Sequence, residues 1–345
     1  MRALTISEHG GLDRLELRDD IPLPEPRAGE VRVRVRAAAL NHLDLFVLEG
    51  LPGVTITPPW IVGGDAAGII DSIGPGVEGI AVGDHVIVNP GISDRACEFC
   101  LDGEQSLCVR FKLLGEHLPG TFAERLVVPA TNVRTIPADV PREIAAAFPL
   151  ATLTAWRMVV TRAAVAEGDE VLIWGIGGGV ALQAMQIAKA RGARVWVTSG
   201  SDEKLARARA MGADETINHR DTEVGAEVRR RTGKRGVDVV IDSVGQATWT
   251  QSLVALAKRG RLVTCGGTSG PMVQTDVRRL FWNQWSLMGS TMGNDDEFDA
   301  VAAELRAGRL LPVVDSAFPL ERGREAYERL RAGAQFGKVV VTIAE

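Results

Sequence analysis

Apolar and polar positions along this chain follow two different periods, and the change between them divides it. Near the N-terminus Val31, Val33 and Val35 are interleaved with Arg32, Arg34 and Arg36. Period-two alternation predicts a strand with one face buried. The Pro-rich run Ile21 to Pro26 before it reads as a loop. Gly63-Gly64-Asp65, Gly68, Gly74, Gly76, Gly79 and Gly83 punctuate further short strands, such as Ala67 to Ile73 and His85 to Val88. The first ~130 residues therefore predict a compact β-rich domain. From Glu143 the period lengthens, and Ile144 to Phe148 and Thr154 to Val160 read as helices. Helices at Glu203 to Met211, Glu223 to Arg231 and Gln246 to Lys258 then alternate with strands at Val237 to Asp242 and Arg261 to Thr264. That alternation predicts a doubly wound parallel sheet. Ser286 to Ser290 reads as its last strand, at an edge. The tail carries helices near Glu297 to Ala307 and Arg322 to Leu330, then the strand Lys338 to Ile343.

The stretch Val171 to Ser201 organises the second half. An apolar run, Val171 to Trp174, leads into Gly175, Gly177, Gly178 and Gly179. Val180, Leu182, Met185, Ile187 and Ala188 then recur at helical spacing up to Arg191, Gly192 suits the helix end, and Val195 to Val197 is a second apolar run. Strand, glycine turn, helix and strand form one parallel unit with a helical crossover. Glycines at such a turn let the backbone approach a pyrophosphate, and the first turn of the helix supplies free N–H groups. The turn reads best as Gly175-x-x-Gly178-x-x-Ala181, with alanine in the last small position. A dinucleotide site is the reading it supports, against a tight turn that binds nothing.

Dinucleotide specificity is set at the end of the second strand, where an acid binds the ribose 2′-OH of NAD. Here that position is Ser199, within T-S-G-S-D-E-K. No acid stands there to repel a 2′-phosphate, and Ser199, Ser201 and Lys204 are available to contact it. Asp202 and Glu203 read as the start of the next helix, where acids suit the dipole. NADP(H) is expected in preference to NAD(H), although a neutral pocket also accepts the latter.

Composition narrows the function classes. The 345 residues suit two domains, and 46% hydrophobic with 24% charged residues is an ordinary globular balance. A net charge of -5 argues against a nucleic-acid surface. No run of about 18 apolar residues predicts a membrane span, and MRALTISEHGG has no apolar signal core. A cytoplasmic location is expected, so the four cysteines are read as thiols or metal ligands. Three of them, Cys97, Cys100 and Cys108, lie in one short loop with Asp94. Thiolates separated by two residues wrap one tetrahedral zinc ion. The alternative is a metal-free loop carrying three oxidisable thiols.

Several segments together resemble the medium-chain dehydrogenase/reductase superfamily, in its zinc-type alcohol dehydrogenase and quinone-oxidoreductase branch. They are NHLDLFVLEG near 41, GVEGIAVGDHVIV near 77, GTFAERLVVP near 120, PLATLTAW near 149, ARARAMGADETIN near 206 and FGKVVV at 336. The resemblance implies a GroES-like catalytic domain over 1–150 and 291–345, and a Rossmann domain over 151–290. It implies that Asp94 takes the first of four lobe positions, so that Asp94, Cys97, Cys100 and Cys108 hold one structural zinc. Thr154, Val244-Gly245, Gly266-Gly267 and Lys338 match positions that line the nicotinamide and pyrophosphate, with Val180 on the first turn after the glycines.

The catalytic zinc of the branch has no such match. Asn41 stands in the place of a Cys ligand, Gly64 in the place of a His, and Pro149 to Thr154 has no third ligand. Asp65 retains an acid, and Leu43 replaces the hydroxyl that relays protons. Asn41 is expected to donate its amide N–H to a substrate oxygen, with helix capping as its purely structural alternative. His42 is placed on the cofactor side, because the family has a basic residue there. The expected reaction is reduction of a small carbonyl, enone or quinone substrate without a catalytic zinc. The alternatives are a zinc alcohol dehydrogenase with a site rebuilt from His42, Asp65 and His117, and a non-enzymatic cofactor-binding protein. The apolar edge at Ser286 to Ser290, flanked by Phe281, Trp282 and Trp285, predicts a homodimer or homotetramer.

Overall fold

The computed structural model describes residues 1–344, and contacts divide these into two units. One comprises Met1–Ala151 and the segment from Gly293 onward; the other is Thr152–Met292.

The first unit is built on the alternating strand, which runs Glu30–Ala39. Val31, Val33 and Val35 are at most 1% exposed, while Arg32, Arg34 and Arg36 remain half-buried. The ion pairs on that polar side include Arg32 and Arg125, which both meet Asp71. Antiparallel partners flank the strand: Asp65–Ile73 and Arg125–Pro129, and Lys338–Thr342 beside its C-terminal half. Lys338–Thr342 in turn pairs in parallel with Val314–Pro319, a strand whose sequence carries no clear alternation. The core joins Leu40, Leu45, Leu48, Phe122 and Tyr327. Gly63 is required here, with φ at +99° and a Cβ position only 2.2 Å from Phe122 Cδ1.

The second unit holds a six-stranded parallel sheet among the described residues. Its order is Glu215–Asn218, Arg194–Ser199, Glu170–Ile173, Val237–Asp242, Leu256–Thr264, Ser286–Gly289. The chain thus begins in the third lane, steps outward twice, then crosses to the far side. The crevice where that direction reverses lies between Glu170–Ile173 and Val237–Asp242, and such reversal points bind ligands in open α/β sheets.

Three local expectations need correction. The helix from Gln246 ends at Ala255, not Lys258. Leu256 instead enters the next strand, opposite Val237, because burying Leu256 and Ala257 against the sheet outweighs continuing the helical period. The helix expected over Thr154 to Val160 is Pro149–Trp156, continued by a π-helical turn at Arg157–Arg162. Ser286–Gly289 is an edge strand with Phe281 and Trp282 exposed beside it, but Trp285 is buried and its Nε1 donates to Ala257 O at 2.8 Å. The helices His42–Glu49, Glu98–Leu101 and Val277–Asn283 carried no sequence assignment. No helix among the described residues is long and apolar enough to cross a membrane.

Candidate active site

Three strand ends converge in the first unit. Ala39, the last residue of the alternating strand, pairs with Asp65 on one side and Val340 on the other. That register carries Asn41, two residues on, to the level of Lys338, two residues before Val340. Lys338 Nζ donates to Asp65 Oδ2 at 2.8 Å and to Asn41 Oδ1 at 2.5 Å. Asn41 Nδ2 donates to Asp65 Oδ2 at 2.9 Å, which closes the triangle. The second carboxylate oxygen of Asp65 accepts the Leu150 N–H at 2.8 Å. Asp65 is 0% exposed and Lys338 4%, so this is a buried ion pair with every charged group partnered. The sequence reading put Lys338 against the cofactor. Its ammonium is instead turned to Asp65 and Asn41, because the strand register sets it between them.

Asn41 also begins the helix His42–Glu49. Its N–H donates to Asp44 Oδ2 at 2.6 Å, and the Asp44 N–H returns to Asn41 O at 3.0 Å. Reciprocal bonds of this kind fix the entry of a helix. Burial pushes the Asp44 carboxyl up to about 7, against the helix-entry N–H and the Lys338 charge. His42 reaches solvent, yet the protein crowding it and then the Lys338 ammonium push its pKa below the ordinary value. That favours the neutral imidazole over the charged form. Gly64 leaves room beside the amide: a Cβ there would lie 3.8 Å from Asn41 Nδ2.

A rebuilt catalytic zinc finds no support in this arrangement. His117 Nδ1 accepts the Leu113 N–H at 3.3 Å, and Glu116 lies 3.7 Å from its Nε2. His42, Asp65 and His117 are not brought together as a ligand set. Among the described residues, the one group of three or more His, Cys, Asp or Glu side chains spaced to hold an ion is Asp94, Cys97, Cys100 and Cys108.

In that group the ligand atoms all lie within 4.8 Å of one another. Cys97 Sγ and Cys100 Sγ are 3.6 Å apart, near the ~3.8 Å edge of a tetrahedron with zinc–sulfur bonds of about 2.3 Å. Cys100 Sγ is 3.4 Å from Asp94 Oδ1. The N–H groups of Asp94 and Arg110 point at Cys108 Sγ at 3.2 and 3.3 Å, as donors do toward a thiolate. Asp94 Oδ1 also accepts from Ala96 and Cys97 N–H, which holds its carboxyl well below the usual carboxylate range. The residues fit one zinc ion with four protein ligands.

In the second unit, the glycine turn follows the strand Glu170–Ile173. Gly175 and Gly177 have φ of +70° and +117°, values that side-chain-bearing residues rarely adopt. Gly178 precedes the helix Gly179–Ala190, whose first amides, including those of Gly179 and Val180, have no partner within the helix. Val244 lies 3.8 Å from the Cβ position of Gly175, and Gly266 lies 3.2 Å from Ser243 O by the same measure. These residues therefore gather at the C-terminal ends of adjacent strands.

The specificity residues behave differently from expectation. Ser199 is only 6% exposed and its Oγ accepts the Ser201 N–H at 3.1 Å. Ser201 caps the helix Asp202–Ala210 through the Lys204 N–H. Both serines thus shape the turn. Asp202 and Glu203 do begin that helix. Thr154 is buried, its hydroxyl 3.7 Å from Met292 Sδ. A basic residue that the sequence reading did not single out, Arg220, also lies at this turn. A Cβ on Gly200 would meet its Nε at 2.7 Å, so the exposed guanidinium lies across Gly200, next to Ser199. The signal available was a basic residue just past Glu215–Asn218, the strand beside Arg194–Ser199.

Comparison with known proteins gives the site a context. Residues 27–138 match the alcohol dehydrogenase GroES-like domain, and residues 179–307 match the zinc-binding dehydrogenase domain. The chain is 34% identical to a zinc-type alcohol dehydrogenase-like protein of Schizosaccharomyces pombe, over 99% of each chain. It is 28% identical to the quinone oxidoreductase of Homo sapiens, over 99% of this chain and 98% of that one. Among solved structures, an NAD-dependent alcohol dehydrogenase superposes with a TM-score of 0.95 at 44% identity, covering all of both chains.

Proposed function

Because this chain belongs to the medium-chain dehydrogenase/reductase superfamily, in its zinc-type alcohol dehydrogenase and quinone-oxidoreductase branch, and is an oxidoreductase of that family, we propose that it is an NADPH-dependent reductase of conjugated carbonyl compounds or quinones that works without a catalytic zinc. The observation that carries this reading is the Lys338 ammonium seated on Asp65 and Asn41, where the branch has its catalytic metal ligands. Polarisation by zinc needs three protein ligands and an open position, and Asn41, Gly64 and a lysine-paired Asp65 do not supply them.

The nicotinamide, when bound, supplies the hydride. Asn41 holds the substrate oxygen through the amide hydrogen not taken by Asp65, in the manner of an oxyanion donor. Asp65 and Lys338 keep that amide in place. A conjugated acceptor suits one neutral donor, since the developing negative charge spreads over the π-system.

Gly175, Gly177 and Gly178 would let the backbone approach the pyrophosphate, which would meet the free amides of Gly179 and Val180 at the start of the helix, with Val244 and Gly266 beside them. No acid ends the strand Arg194–Ser199, and the Arg220 guanidinium is the cation suited to a 2′-phosphate, with Lys204 nearby. Asp94, Cys97, Cys100 and Cys108 would hold one zinc whose four positions are all filled by protein, a closed site that shapes its loop. The edge strand Ser286–Gly289, with Phe281 63% and Trp282 76% exposed, suits pairing with a second copy in a dimer or tetramer. Sedimentation as a monomer at micromolar concentration would contradict that. All four cysteines are unpaired, in keeping with the reducing cytoplasm, which fractionation of the native host checks.

The deciding assay follows oxidation of NADPH and of NADH against a panel of enones, quinones and saturated aldehydes, with the lobe zinc retained. Turnover of enones or quinones with NADPH is expected. Activity restricted to alcohols and saturated aldehydes, abolished by chelation and restored by Zn²⁺ while the lobe stays loaded, would defeat the proposal.

A further inference from the structure

A side-chain amide is nearly symmetrical in shape but not in chemistry: one end accepts and the other donates. Asn41 is held at both ends. Its Oδ1 faces the Lys338 ammonium at 2.5 Å and its Nδ2 faces the Asp65 carboxylate at 2.9 Å. Turned over, the amide would set N–H groups against an ammonium and an oxygen against a carboxylate. Both contacts would be repulsive in a place where Asp65 is 0% and Lys338 4% exposed. The backbone is fixed as well, by the reciprocal bonds with Asp44 at the helix entry. Gly64 leaves the space beside Nδ2 without a side chain.

Lys338 is 4% exposed, and its Nζ has Asp65 and Asn41 as acceptors. Its charge acts on whatever the amide does. An ammonium on Oδ1 draws electron density toward that oxygen and strengthens the N–H groups at the other end as donors. We propose that Lys338 is a positioning residue that works through Asn41, locking the amide in the one orientation that leaves an N–H for the substrate oxygen. This rests on Asn41 being the oxygen donor of the proposed reductase.

The test is a double-mutant cycle on the full chain: Asn41→Ala, Lys338→Met and the double variant, read as kcat and KM on a turned-over quinone or enone. The dissociation constant of NADPH is measured alongside, by fluorescence. Lys338→Met should lower kcat roughly tenfold to a hundredfold, with NADPH affinity within about twofold of the parent. The double variant should be no slower than Asn41→Ala, and Lys338→Arg should recover part of the loss. Losses that multiply in the double variant would overturn the inference, as would an NADPH affinity about tenfold weaker with kcat intact, the mark of a phosphate contact. Should Lys338→Met alone fail to fold, Lys338→Met with Asp65→Asn removes both buried charges and enters the same cycle. Undiminished kcat in Asn41→Ala would instead sink the donor reading beneath it.

Discussion

Asp65→Asn isolates what the buried ion pair contributes to the fold. The substitution is nearly isosteric but takes away the charge that faces Lys338 Nζ at 2.8 Å. It also replaces one acceptor oxygen by an NH₂ group, which must then oppose either the Lys338 ammonium or the Leu150 N–H. Removing one partner of a buried pair leaves the other uncompensated, at a cost of about 3–5 kcal/mol. Lys338, 4% exposed, has little water to turn to. In a unit of roughly 200 residues each kcal/mol moves the melting temperature by about 2–4 °C, so a fall of about 6–20 °C is expected. Calorimetry of the wild type, Asp65→Asn, and Asp65→Asn with Lys338→Met reads it. The double variant should regain half the loss or more, because the stranded ammonium is gone. If Asp65→Asn melts within about 2 °C of wild type, the pair is not as buried as described and the reasoning fails.

Two further outcomes follow from groups away from that pair. Cys100→Ser should lower zinc content, measured by atomic absorption, and melting temperature together, while the turnover of the remaining folded protein changes by less than about twofold; full zinc loading in the variant would refute the assignment. For Asp44, raised from an ordinary 3.8 to about 7 by burial, the folded state keeps its proton where the unfolded state has lost it. Its contribution is therefore full below about pH 4 and is lost as pH rises to about 7, a difference of up to about 4 kcal/mol. Asp44→Asn removes that slope, so urea midpoints of variant and wild type should diverge between pH 5 and about 7; parallel midpoints across that range would contradict it.

What the sequence disclosed depended on how local the determining contacts are. The Val-Arg alternation of Glu30–Ala39 and the glycine turn after Ile173 are set by residues within a few positions, and both were legible. Candidate zinc ligands could be named because four donors sit within fifteen residues. The partners of Lys338 were not legible because they are set by strand register, Ala39 opposite both Asp65 and Val340. Ser199 stands where the specificity residue should, but its burial and its bond to Ser201 are tertiary facts. Arg220 escaped notice because the residue it covers, Gly200, lies on a different strand end. The helix from Gln246 was overrun for the same reason, since Val237 decides where it stops.

The strand Lys338–Thr342 has a consequence for the order in which the protein is made. It lies between Glu30–Ala39 and Val314–Pro319, inside its sheet, and Lys338 is separated from Asn41 by 297 positions. A ribosome therefore releases Asn41 and Asp65 long before the residue that completes them. Until then the C-terminal half of Glu30–Ala39 is an open edge on the side that Lys338–Thr342 will fill, and Asp65 is a carboxylate without its cation. At about 5–20 residues per second the interval is on the order of half a minute. The Asn41 amide thus gains its Lys338 partner only when the strand Lys338–Thr342 is in place, and a chain cut short before that strand has Asn41 and Asp65 without the cation that joins them.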